Sequence, residues 1–142
     1  KLKKLIWIIT KKNPLKKKPF LSLSTRIKLS KKITIKEKKI FVQYLDNKIK
    51  SNKTFNLLKY IKKQNPKSNL YFLIGSDNLV KLHKWDKWKK IPNIAKIVVF
   101  PRNKYLTQSY NSMAAKKLKK KDWMYIRCKM VNISSSLIRK FW

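Results

Sequence analysis

The sequence predicts an α/β fold built on a parallel sheet, and three observations carry that prediction. Strand-length apolar runs recur without polar alternation, as expected of strands covered on both faces. Segments with apolar residues at helical spacing lie between them, and the connections are short and rich in proline, asparagine and lysine.

Taken in order, Leu5-Ile6-Trp7-Ile8-Ile9 reads as the first strand. Residues 11–19 hold two prolines and five lysines, which excludes regular structure there. From Ser24, the pattern Ile27, Ser30 and Ile33, with Leu29 beside it, predicts a short helix capped by Ser24 or Thr25. Residues 39–45 read as another strand. Residues 54–63 place Phe55, Leu58 and Ile61 on one helical stripe, widened by Leu57 and stopped by Asn65-Pro66.

Leu70-Tyr71-Phe72-Leu73-Ile74 forms the next buried strand, ending at Gly75. Residues 78–90 then carry Leu79, Leu82, Trp85 and Trp88 at intervals of three, predicting a helix closed by Pro92. Ile97-Val98-Val99-Phe100 is a strand stopped by Pro101, and a last strand is expected within residues 124–130, before a helical turn opening at Ser134. The lysine-rich stretch 116–121 reads as a solvated helix face. With no repeat and no linker, residues 1–142 read as one domain. The chain opens on Lys1 and enters a strand almost at once, which gives the expectation that an amino-terminal segment is missing.

Composition narrows the function classes. The formal charge is +34, from 39 basic and five acidic residues, yet only four of the basic residues are arginine, the side chain favoured for bidentate contacts to bases and phosphates. Lys, Asn, Ile, Phe and Tyr have codons that can be built almost wholly from A and T, so genome composition accounts for the lysine without a polyanion partner. A selected electrostatic role remains the alternative, in the form of a lysine-rich nucleic-acid-binding protein. That reading requires aromatics exposed on a sheet face or groove, whereas the aromatics here fall mostly in apolar strands and helix stripes, and nucleic acid is not the expected partner. One cysteine, Cys128, excludes an internal disulfide and a cysteine-based zinc site; it is expected to be a small buried hydrophobe in a cytoplasmic protein. No apolar run approaches the roughly 18 residues of a membrane span.

In open parallel sheets, ligands sit beyond the carboxyl ends of the strands. The loops after Ile9, Ile74 and Phe100 are therefore the ones to inspect. About 7% glycine is usual, roughly ten residues for this length, but the chain has one, Gly75, at a strand end in Gly75-Ser76-Asp77-Asn78. The missing Cβ permits a sharp turn or close approach of a ligand, and Asp77 offers an acceptor to ribose hydroxyls. A plain strand-to-helix turn capped by Asp77 or Asn78 fits the same residues. A second constellation, Asn132-Ile133-Ser134-Ser135-Ser136-Leu137-Ile138-Arg139, combines hydroxyls at a helix start with an arginine one turn on, which makes an anion site suited to phosphate. A serine cap with an incidental arginine fits the same residues. Trp85 and Trp88, on one helix face, read as core or as rings able to stack on an aromatic base. His83 has no second ligand beside it and reads as structural or surface.

The order Gly75-Ser76-Asp77-Asn78-Leu79, then His83-Lys84-Trp85, then Arg102, then Ile133-Ser134-Ser135-Ser136-Leu137-Ile138-Arg139 resembles the bacterial nicotinate-nucleotide adenylyltransferases. Asn13-Pro14-Leu15-Lys16 and Thr54-Phe55-Asn56-Leu57-Leu58 also fit that family's pattern, so the resemblance runs the length of the chain. It implies a Rossmann-like nucleotidyltransferase fold lacking its first strand and helix, and adenylyl transfer from ATP to nicotinate mononucleotide, with Mg²⁺ accompanying ATP. It further implies that Gly75 and Asp77 hold the nucleotide ribose, and that Ser134, Ser136 and Arg139 take the ATP phosphates. Lys16, Thr54 and Arg102 would line the nicotinate-nucleotide side, with Trp85 stacked on the pyridine ring. Three departures stand out: no His-x-Gly-His catalytic pair occurs in the chain, Leu57 stands where the family usually has threonine, and Asn103-Lys104 replace its Pro-Gly. No catalytic residue is assigned, and a related nucleotidyltransferase with another phosphate substrate, such as phosphopantetheine, remains an alternative.

Overall fold

The computed structural model describes residues 2–12 and 19–128. The chain divides into two compact units, Lys1–Tyr60 and Ile61–Trp142.

In the first unit, strand β1 (Leu5–Ile8) pairs in parallel with β2 (Ile40–Gln43), Leu5 opposite Ile40 and Ile8 opposite Gln43. Parallel neighbours require a crossover, and helix α1 (Leu23–Ile33) lies within it. Its cap is Ser22, two or three residues earlier than the sequence pattern places it, with Oγ accepting from the Thr25 amide at 3.1 Å. The helix presents Leu23, Arg26, Ile27 and Ser30 to the interior. Leu29 and Ile33, expected on the buried stripe, are instead exposed, Ile33 at 69%. Arg26 reaches the end of β1, donating to the carbonyls of Thr10 and Lys11 at 2.8 and 3.1 Å. A single turn, α2 (Asp46–Ile49), follows β2; its Asp46 is buried and accepts from the Lys11 amide at 2.8 Å, closing the same loop from the other strand. Helix α3 (Thr54–Gln64) buries Leu58 and Ile61 as the periodicity predicts, and Asn65 caps it by donating to the Ile61 carbonyl at 2.9 Å.

The second unit holds a parallel sheet of β3 (Tyr71–Gly75), β4 (Lys96–Phe100) and β5 (Trp123–Tyr125), in that order, with Gly75 opposite Phe100 and Ile97 opposite Trp123. Between β3 and β4 run helix α4 (Ser76–Lys81) and two 3₁₀ segments, Leu82–Lys84 and Trp88–Asn93. Between β4 and β5 run the 3₁₀ turn Asn103–Tyr105, α5 (Leu106–Tyr110), α6 (Met113–Lys117) and the 3₁₀ turn Lys120–Asp122. Successive right-handed crossovers stepping in one direction place their helices on the same face of a sheet. That face, carrying Ile74, Ile97 and Val99, is buried, together with Leu79, Leu82 and Ile91 from the crossover between β3 and β4; each such aliphatic side chain stabilises the fold by roughly 1.5–3 kcal/mol. On the other face Val98 is buried, but Tyr71, Leu73, Phe100 and Met124 are exposed. The sheet is thus covered better on one side than on the other, not alike on both as its apolar strands predict.

Residues 78–90 do not form one helix. Trp85 is extended, with φ −86° and ψ 147°, and Lys87 is left-handed at φ 51°, so Trp85 and Trp88 belong to separate turns, and Pro92 lies inside the second 3₁₀ segment. Cys128 is exposed because β5 ends three residues before it. The lysines of 116–121 are exposed as expected, but α6 stops at Lys117 and the stretch changes to a 3₁₀ turn. Among the described residues no helix is long and apolar enough to cross a membrane.

Candidate active site

The site is built where β3 and β4 end together. Gly75 is the last residue of β3 and faces Phe100 across the ladder, so the two chains leave the sheet side by side, into Ser76-Asp77 and into Pro101-Arg102. Gly75 has φ −79° and ψ 157°, a conformation open to any residue, so a sharp turn is not why glycine stands there. Space is the reason: a Cβ at Gly75 would lie 2.4 Å from Asp77 Oδ1 and 3.0 Å from Arg102 Nε.

Asp77 lies in the first turn of α4, where its negative charge complements the unpaired amides of the helix start. The capping position is Gly75, and no side chain caps α4, which removes the reading of Asp77 or Asn78 as the cap. Asp77 Oδ1 is shielded from water and accepts no hydrogen bond. Its charge partner is Arg102, with Nε 3.4 Å away; the acid side chain is 16% exposed and the arginine 51%. A pair this open to solvent contributes only about 0–1 kcal/mol to stability. What it does provide is a shielded acceptor beside a half-exposed cation at a strand end.

Ser76, which sequence reasoning quoted in the motif but gave no role, is wholly buried. Its Oγ accepts from the Arg102 amide at 2.9 Å, joining the two loops. The signal available in the sequence was a small polar residue directly after a buried strand; its partner, 26 positions on, becomes visible only through the pairing of β3 with β4.

Trp85 packs a tilted face against Phe72 of β3, with ring centroids 6.1 Å apart, and remains partly exposed. His83 is half-buried, its Nδ1 shielded without a hydrogen-bond partner. Thr54 is the first residue of α3 and half-buried, in a segment assigned to the other compact unit. The structure therefore brings together Gly75, Asp77 and Arg102. Lys16 and the anion-site residues Ser134, Ser136 and Arg139 lie outside the described residues. Among the described residues no three His, Cys, Asp or Glu side chains converge as metal ligands.

The model of the cytidylyltransferase-like family matches residues 1–141. The chain belongs to that family. Within the family it aligns with proteins named probable nicotinate-nucleotide adenylyltransferase. That of Pelagibacter ubique is 42% identical over 139 residues, covering 98% of this chain and 77% of the relative. That of Buchnera aphidicola is 33% identical over 156 residues, covering 98% and 71%. Membership of this adenylyltransferase group makes the protein a nucleotidyltransferase. The fold also matches a solved structure of Plasmodium falciparum nicotinic acid mononucleotide adenylyltransferase complexed with NaAD, with a TM-score of 0.72 at 22% identity, covering 99% of this chain and 69% of that one.

Proposed function

We propose that the protein transfers the adenylyl group of ATP to nicotinate mononucleotide, giving deamido-NAD and pyrophosphate. The observation that carries this reading is the Gly75, Asp77 and Arg102 cluster at the carboxyl ends of two parallel strands. The cluster offers a shielded acceptor for a sugar hydroxyl, a gap where a Cβ would stand, and a half-exposed guanidinium for an anionic group. The names of its relatives supply the substrates.

In this reading a ribose hydroxyl replaces Arg102 as the partner of Asp77 Oδ1, and its sugar approaches the backbone through the space that glycine leaves. Arg102, released, turns to the nicotinate nucleotide. The exposed part of Trp85 stacks on the pyridine ring. Ser134, Ser136 and Arg139 take the phosphates of ATP. A phosphate oxygen of the mononucleotide attacks the α-phosphorus in line, and the bond to the bridging oxygen breaks as pyrophosphate leaves with that electron pair. No protein nucleophile is consumed. Mg²⁺ enters as part of the substrate, on the ATP phosphates, and neutralises charge on the departing group. The reading places the reaction in the cytosol.

The test is to incubate the chain with ATP, Mg²⁺ and nicotinate mononucleotide and to follow deamido-NAD and pyrophosphate together. The expected result is equimolar formation of both, requiring each substrate. It should be slow, because the 142 residues hold one histidine and no His-x-Gly-His pair, and loss of one preorganised donor costs about 10²–10³ in rate. Pyrophosphate release with phosphopantetheine but not with the mononucleotide would overturn the substrate assignment.

A further inference from the structure

Ser76 stands between the glycine and the aspartate of the site and touches neither solvent nor, in the reading above, substrate. Buried hydroxyls are paired, and the partner of this one is a backbone 26 positions along the chain. Ser76 Oγ accepts from the Arg102 amide at 2.9 Å and lies 3.5 Å from the Arg102 carbonyl. The ladder between β3 and β4 ends at Gly75 and Phe100; beyond it the Arg102 carbonyl accepts from the Tyr105 amide at 2.9 Å, and the partner of the Arg102 amide is Ser76 Oγ. Ser76 takes over where the ladder stops. The bond fixes the backbone of the one residue whose guanidinium faces Asp77. The Arg102 side chain is half-exposed, so the point from which it departs decides where its charge can act.

We propose that Ser76 is a positioning residue: its buried hydroxyl anchors Arg102 so that the guanidinium serves the anionic end of the nicotinate nucleotide. This rests on the assignment of Arg102 to that substrate. It predicts that Ser76 matters to ligand affinity only through Arg102, which a general contribution to folding would not do.

The experiment is titration calorimetry with nicotinate mononucleotide on the unaltered chain, Ser76→Ala, Arg102→Ala and the double variant. Ser76→Cys serves as a second probe, keeping the volume while accepting hydrogen bonds only weakly. Far-UV circular dichroism and thermal unfolding establish that each variant is folded. Ser76→Ala and Ser76→Cys are expected to weaken binding by about two- to tenfold, the range for one lost hydrogen bond. Arg102→Ala should weaken it at least as much, and adding Ser76→Ala to Arg102→Ala should change nothing further. An equal loss from Ser76→Ala in both backgrounds would reduce the residue to a structural role. No loss from either Ser76 variant, with a clear loss from Arg102→Ala, would overturn the positioning role alone. No loss from Arg102→Ala would overturn the assignment of Arg102 and the role of Ser76 together.

Discussion

Replacing Gly75 by alanine separates the two reasons for which a protein keeps a glycine. Its φ of −79° and ψ of 157° suit alanine, so the backbone gains from a less flexible unfolded chain, by about 0.4–1 kcal/mol. The new methyl group would stand 2.4 Å from Asp77 Oδ1. Carbon and oxygen do not approach much closer than about 3.3 Å, so the carboxylate must retreat by about 1 Å. Turning a side chain away from its preferred rotamer costs about 0.5–1.5 kcal/mol. The two contributions nearly cancel, and the thermal midpoint should move by no more than a few degrees. Binding should not survive so well. A charge-assisted hydrogen bond is worth about 1.5–3 kcal/mol, so a carboxylate displaced by that distance weakens the nucleotide about 10- to 100-fold. Thermal unfolding and calorimetric titration with deamido-NAD measure both quantities on the same sample. An unfolded variant would show that glycine serves the backbone. A folded variant with unchanged affinity would refute the placement of nucleotide ribose at Asp77.

Three further outcomes concern the scaffold. Leu82 is wholly buried in the crossover between β3 and β4, so Leu82→Ala should cost about 2–5 kcal/mol in urea unfolding. Ser22→Ala removes the acceptor for the Thr25 amide at the start of α1 and should cost about 1 kcal/mol without affecting ligand titrations. Burial holds the Tyr125 phenol above its usual 10.0, Tyr110 adds to the effect and the hydrogen bond with Ser109 opposes it. The folded state therefore favours the neutral phenol. That contribution is fully present below about pH 10 and is lost as the pH rises through the higher folded value. Thermal unfolding between about pH 8 and 11 should show a shallower alkaline decline for Tyr125→Phe.

The strands β3 and β4 were legible because apolar runs of five and four residues, closed by glycine and by proline, leave few other structures open to them. Helix α3 was legible for a similar reason, since Asn65-Pro66 ends a clear stripe. Residues 78–90 misled because apolar residues at intervals of three also fit the 3.0-residue turn of a 3₁₀ helix, which is what Leu82–Lys84 and Trp88–Asn93 form. The side of α1 that faces inward was only partly legible: Ser30 is buried on the stripe as the pattern has it, but Arg26, a polar residue, takes an interior position where it hydrogen-bonds at the end of β1, and Ile33 is left outside. Within the site, Gly75 and Asp77 could be found from a lone glycine at a strand end. Their closeness to Arg102 could not, because it depends on the register that sets Gly75 beside Phe100.

The placement of the nucleotide is tested most directly by titrating deamido-NAD into ¹⁵N-labelled protein and following the backbone amides. The account predicts saturable shifts centred on Gly75, Ser76, Asp77 and Arg102, little altered by salt. Shifts confined to exposed lysine segments such as 116–121, produced by RNA and abolished by salt, with none at the ends of β3 and β4 on adding deamido-NAD, would contradict it.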